Sequence, residues 1–184
     1  YSTVIRPNIK IESPRETRNM TVRLSGVPRE TIEDFPFDDS QRLIRTEGES
    51  VVVETHSQIF FEKDSLLLPV RTLEVQAQLR PTAFIQSDHP SFAAAAKKIL
   101  NGETNAWKAA KKIARWVRNT MTPNYNVGFA TAIEVLENPQ GDCSEHTVLT
   151  AALCRASGIP ARAAVGIMYA DGIFAYHMWP EVYI

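Results

Sequence analysis

Gly141-Asp142-Cys143-Ser144-Glu145-His146 opens a helical pattern, and His177 lies in a strand pattern further along the chain. A cysteine in the first turn of a helix sits where unpaired backbone N–H groups and the helix dipole favour negative charge. Such a position lowers a thiol pKa and favours the nucleophilic thiolate. A histidine on a neighbouring strand would complete a thiolate–imidazole pair, the core of a cysteine nucleophile site. Cys143 and His177 are therefore the candidate catalytic residues, suited to attack on an amide or related acyl bond. A cysteine that only packs belongs inside an apolar stripe rather than at a Gly-Asp-Cys helix start. A strand histidine alone is as often merely hydrogen-bonded, so the pair carries the reading.

The elements around these two residues are legible from pattern. The helix beginning at Cys143 carries Val148, Leu149, Ala152, Leu153 and Ala156 on an apolar face. Gly158 is placed to end it and Pro160 prevents its continuation. Residues 161–170 read as a strand, Asp171-Gly172 as a two-residue hairpin turn, and 173–184 as the returning strand. With Ala170 facing Ile173, His177 falls opposite Gly166 and Arg162 opposite Glu181. Glu181 is thus read as a cross-strand ion-pair partner rather than a catalytic acid. Ala175, His177, Trp179 and Glu181 share one face of the strand, and Pro180 marks an edge or the end of regular pairing.

Upstream, helices are expected over 92–100, 104–121 and 131–137. The second has an apolar stripe, and Lys108, Lys111, Lys112, Arg115 and Arg118 form a solvated opposite face. The first eighty residues look different. Residues 20–25 and 73–79 alternate apolar and polar side chains, and 51–56 and 58–61 are rich in β-formers. Turn-rich pieces separate them, so a small antiparallel sheet or sandwich is expected. The character changes at Arg80-Pro81, which places a boundary near residue 82. The predicted class is α+β, with a strand-rich N-terminal domain over 1–82 and a site-bearing domain over 83–184.

Three separated pieces carry a family resemblance. They are Gly141-Asp142-Cys143, then Leu153-Cys154-Arg155-Ala156-Ser157-Gly158-Ile159-Pro160-Ala161-Arg162, then His177-Met178-Trp179-Pro180-Glu181-Val182. In that order they resemble the core of the transglutaminase-like superfamily, over about residues 92–184. The resemblance implies a papain-like arrangement, a cysteine-bearing helix packed on an antiparallel sheet that bears the histidine. It implies Cys143 as nucleophile and His177 as general base and acid. Prokaryotic members are often regarded as proteases or peptidases, so hydrolysis of protein amide bonds is the first expectation. Transamidation, or a non-catalytic binding module keeping the fold, are the alternatives. The N-terminal strands resemble the β-domain that precedes this core in some bacterial members. A family triad would add an aspartate on a strand beyond the histidine. Neither Asp142 nor Asp171 is placed for it, and we expect the chain to be truncated at its C-terminus.

Composition closes off other classes. The chain has 184 residues, 44% hydrophobic and 22% charged, with a net charge of −1. No global field favours nucleic acid, and no apolar run approaches the ~20 residues a membrane helix needs. The expected partner is a protein or peptide substrate. Cys143 and Cys154, eleven residues apart on one helix, would be separated by roughly 16 Å of rise, beyond disulfide reach. Both are expected as free thiols, Cys154 in the core. Cys143, His146 and His177 could supply metal ligands, but a structural zinc site usually needs four. No metal and no cofactor are therefore expected. His56 and His89 are given no role. The chain opens at Tyr1, which suggests a processed or trimmed piece and leaves its compartment, bacterial cytoplasm or periplasm, open.

Overall fold

The computed structural model describes residues 4–184 except 34, 36 and 127. In chain order the strands are β1 (Val4–Ile5), β2 (Asn19–Ser25), β3 (Gln41–Glu47), β4 (Ser50–His56), β5 (Thr122–Pro123), β6 (Gln140–Gly141), β7 (Ala161–Ala170) and β8 (Ile173–Val182). The helices are α1 (Arg29–Glu33), α2 (Pro90–Leu100), α3 (Ala106–Thr120), α4 (Ala132–Glu137) and α5 (Cys143–Ala156). Two compact units result. One comprises Pro7–Phe60 with the turn Ala170–Gly172, and the other holds the rest.

The first unit is built on a three-stranded antiparallel sheet, ordered β2-β4-β3. β4 is its centre because Val51, Val52 and Val53 are all buried, a continuous apolar run suited to a strand covered on both sides. β2 pairs with it in unbroken register from Asn19↔His56 to Ser25↔Ser50. β3 shifts register between Leu43 and Arg45, leaving an extra residue there.

Two expected strands are not strands. Residues 73–79 form a 3₁₀ helix, Leu73–Leu79. The Gln76 side-chain amide donates to the Val70 and Thr72 carbonyls, and Leu73 lies 84% exposed. The alternation there has no buried face to serve. Residues 58–61 adopt no regular element, and Ile59 and Phe61 are exposed. β-formers without a partner strand gain no ladder.

The second unit is organised around α5, which packs against α2, α3, α4 and β8. Every residue from Thr147 to Arg155 is buried. A helix this apolar around its circumference belongs in the middle of a core rather than on a surface. Leu149 and Leu153 are fully buried, each contributing about 1.5–3 kcal/mol of burial. Phe92, Ile113, Val117 and Val135 complete the core from the other helices. Residues 61–82 go with this unit. The Leu68 N–H donates to Thr104, Ala106 N–H to Leu66, and Val70 N–H to Gly158.

The end of α5 makes the paired bonds of a Schellman turn, Ile159 N–H to Cys154 and Gly158 N–H to Arg155. Gly158 has φ +80°, and a Cβ there would lie 2.6 Å from Pro69. The buried Arg155 then donates Nε to the Ala161 carbonyl and Nη1 to that of Arg80. This ties the helix end to the start of β7. The sheet of this unit runs β1-β8-β7, with Val4↔Ala175 and Ile5↔Phe174 pairing antiparallel.

Candidate active site

The local sequence decides how α5 begins. Asp142 is the N-cap, and its carboxylate accepts from the Ser144 N–H at 2.9 Å and from the Glu145 N–H. The Glu145 carboxylate reaches back to the Asp142 N–H at 2.9 Å, completing a reciprocal capping box. Cys143 is therefore the first helical residue, half-buried and free. In this turn the Asp142, Ser144 and Glu145 N–H groups are all taken, and His146 N–H bonds to the Asp142 carbonyl. Among the described residues, no acceptor lies on the Cys143 N–H.

Asp142 carries a carboxyl held below its ordinary value. The Ser144 N–H is the largest cause, opposed by partial burial and helped by the Ser144 hydroxyl, Glu145 and Cys143. Cys154 is the opposite case. Full burial pushes its thiol up to about 12, which leaves it an inert core residue as expected.

The turn before Cys143 is held by two short strands. β5 and β6 pair in parallel, Thr122↔Gln140 and Pro123↔Gly141, and the Asn124 N–H donates to the Gly141 carbonyl at 3.1 Å. A chain of amides continues from there. Asn124 Oδ1 accepts from the Asn126 N–H at 3.0 Å, and Asn124 Nδ2 donates to Gln140 Oε1 at 3.0 Å. A main-chain N–H only donates, so it sets which end of Asn124 faces Gln140. That choice in turn leaves the Gln140 NH₂ group as the uncommitted end.

His177 is half-buried on β8, within the strand that packs on α5. The expected Arg162–Glu181 pair is present, Nε to Oε2 at 2.7 Å. Trp179 Nε1 donates to Glu181 Oε1 at 3.3 Å, and its ring stacks beside His177 with centroids 6.3 Å apart. The ring lies over Gly166, where an added Cβ would sit 2.7 Å from it. The absence of a side chain at Gly166 thus makes room for Trp179, which sequence pattern had placed only on the same strand face as His177. Glu181 is engaged by Arg162 and Trp179.

The other candidates have partners of their own. His146 Nδ1 donates to the Asp142 carbonyl at 2.6 Å. His56 lies between Asn19 and Glu54, and His89 is the N-cap of α2. No group of three metal-ligating side chains occurs among the described residues. No helix among them is long and apolar enough to cross a membrane. Sequence reading passed over Glu145, although an Asp at the N-cap with Glu three residues on is the capping-box signal. Sequence alone had no means of seeing the Asn126–Asn124–Gln140 amide chain.

A central helix that presents a cysteine from its first turn, packed on an antiparallel sheet that carries a histidine, defines an α+β cysteine–histidine core. The model of the Transglutaminase-like superfamily matches residues 93–184, half of the chain, and the chain belongs to that superfamily. Its fold is similar to that of a "putative cysteine protease" from Cytophaga hutchinsonii, at 17% identity and a TM-score of 0.65. That match covers 98% of this chain and 66% of the other. It is also similar to the periplasmic domain of TgpA from Pseudomonas aeruginosa, at 15% identity and a TM-score of 0.59, covering 89% and 64%. At these identities the likeness is one of fold. The chain spans just under two thirds of the length of either structure. No curated protein matches the sequence.

Proposed function

We propose that this chain carries the reacting groups of a thiol-dependent enzyme that hydrolyses amide bonds in proteins or peptides. The observation that supports it most is the start of α5. A half-buried free cysteine occupies the first helical position, its own N–H is uncommitted, and the helix packs on the strand of His177. The cysteine protease name of the Cytophaga structure agrees with this reading.

His177 takes the Cys143 proton, and Sγ attacks the amide carbonyl carbon. The carbonyl oxygen gains charge, and the Cys143 N–H donates to it. Gln140 Nε2, left free by Asn124, is the second donor in this reading. The C–N bond then breaks as His177 gives its proton to the leaving amine, and a thioester remains on Cys143. A water molecule gives a proton to His177 and attacks the thioester. The C–S bond breaks, the acid product leaves, and the proton returns to the sulfur. Trp179, held by Glu181, orients the imidazole between these transfers.

The test is turnover of labelled casein by the intact protein. Cys143→Ala and His177→Ala should each lower kcat/KM by about 10³-fold or more. Gln140→Leu should lower kcat by about 10²–10³ with KM unchanged, as for loss of an oxyanion donor. Undiminished turnover in either the cysteine or the histidine variant overturns the proposal. Incorporation of an added primary amine in place of hydrolysis would assign the second step to transamidation.

A further inference from the structure

The Glu145 carboxylate is 1% exposed, four residues after Gly141 and two after the cysteine. A buried carboxylate is costly unless hydrogen-bonded donors surround it. Glu145 has them. Oε2 accepts the Asp142 N–H at 2.9 Å, and Oε1 accepts the Ala130 N–H at 3.2 Å. The Ser144 hydroxyl lies 2.9 Å from Oε1 and equally close to Asp142 Oδ1, so its single proton bridges the two carboxylates. The helix N-terminus adds a favourable dipole. Nothing in this set is an ordinary surface cap. Capping needs only the Asp142 N–H, yet Glu145 also holds Ala130, fifteen residues upstream.

Gly141 completes the arrangement. Its φ is +147°, and any Cβ there would overlap Glu145 Cβ and Cγ. The Gly141 residue in the Gly-Asp-Cys motif is thus the space that the Glu145 side chain crosses on its way to Asp142. Three donors from two chain segments converge on one carboxylate, Ala130 from one and Asp142 and Ser144 from the turn itself. Cys143 lies between the last two and is the one residue of the turn whose N–H is not drawn into the box.

We infer that Glu145 is a positioning residue for Cys143, acting through main-chain tethers that hold the nucleophile turn and keep the Cys143 N–H directed outward as the oxyanion donor. Glu145 touches no substrate in this role, and its oxygens are committed to main-chain and Ser144 donors rather than to His177. The inference rests on the hydrolase reading for its kinetic consequence but not for its geometry.

Two measurements separate the two claims. Amide exchange in the wild-type protein, followed residue by residue, needs no turnover. Asp142 and Ala130 N–H should be protected at least tenfold more than Cys143 N–H, and Glu145→Gln should abolish protection at one of the two. A glutamine offers one acceptor oxygen in place of two, so one tether is lost whichever way it turns. Free exchange of Asp142 and Ala130 in the wild type overturns the inference, as does a protected Cys143 N–H. The kinetic arm compares Glu145→Gln with Asn105→Ala, which removes the N-cap of α3. Glu145→Gln should lower kcat at least tenfold at unchanged KM, and Glu145→Asp, one methylene short, should not rescue it. Asn105→Ala should lose thermal stability with kcat unchanged. A Glu145→Gln enzyme that only melts earlier, with wild-type kcat, reduces Glu145 to a structural cap and overturns the inference. A wild-type protein that never turns over casein counts against the hydrolase reading alone, and the exchange arm then decides the position of Glu145.

Discussion

At Asp142 the main chain and the side chain serve opposite ends of one turn. Its N–H goes to Glu145, and its carboxylate takes the Ser144 and Glu145 N–H groups. Those bonds favour the ionised form, the Ser144 N–H most of all, so the folded pKa lies below the unfolded one. For such a carboxylate, stability is present above the unfolded value near 3.9 and lost as pH falls through the folded value. Asn caps helices about as well as Asp but does not titrate there. Asp142→Asn should therefore flatten the fall in Tm below about pH 4 relative to wild type. Parallel Tm curves for the two proteins would remove Asp142 from the acid transition. At the same scale Arg162 and Glu181 show why a visible ion pair need not be a stability device. Both side chains are about half exposed, and such pairs are worth roughly 0–1 kcal/mol. The value of Glu181 lies in where it holds Trp179.

α5 is the element on which the second unit depends, and its burial sets the expected cost of damage. Leu149→Ala opens a cavity in a fully buried site and should cost about 2–5 kcal/mol, read from urea unfolding with unchanged m. A cost under about 1 kcal/mol would mean that α5 is not the centre of the core. This helix and its neighbours were legible in the sequence because their signals are local. Gly158 and Pro160 stop α5, Asn101 with φ +48° stops α2, and Asp171 and Gly172 with φ +51° and +86° make the hairpin turn. The strands of the N-terminal half were less so. β3 escaped because its register shift at Leu43/Arg45 breaks the period of two. Residues 73–79 misled because alternation predicts a strand only where a partner and a buried face exist, and Pro69 and Pro81 flank a segment that has neither. β1 is two residues long and carries no pattern at all. At the site, the residue types and the helix start were visible, whereas Glu145, Trp179 and the Asn126–Asn124–Gln140 chain depend on contacts between segments far apart in sequence.

For the molecule as a whole, the two compact units divide at Phe60–Phe61, within a stretch that has no regular element and exposes Ile59 and Phe61. Exposed chain outside any regular element is where proteases cut first. Brief chymotrypsin treatment should cleave next to Phe60 or Phe61 before any site in α2–α5, as read by mass spectrometry. Early cleavage within Ala106–Thr120 or Cys143–Ala156 would contradict the partition into these units. The core of the second unit also supplies its own control for the central chemical claim, because Cys154 is sealed inside it while Cys143 is not. The measurement is the rate of iodoacetamide modification of each cysteine in the intact protein at about pH 6.5, where an ordinary thiol is almost wholly protonated. A thiolate–imidazole pair predicts rapid modification of Cys143, silence at Cys154, and a rate at Cys143 at least tenfold lower in His177→Ala. Equal slow rates at Cys143 in the wild-type and His177→Ala proteins would contradict the pairing of these two residues.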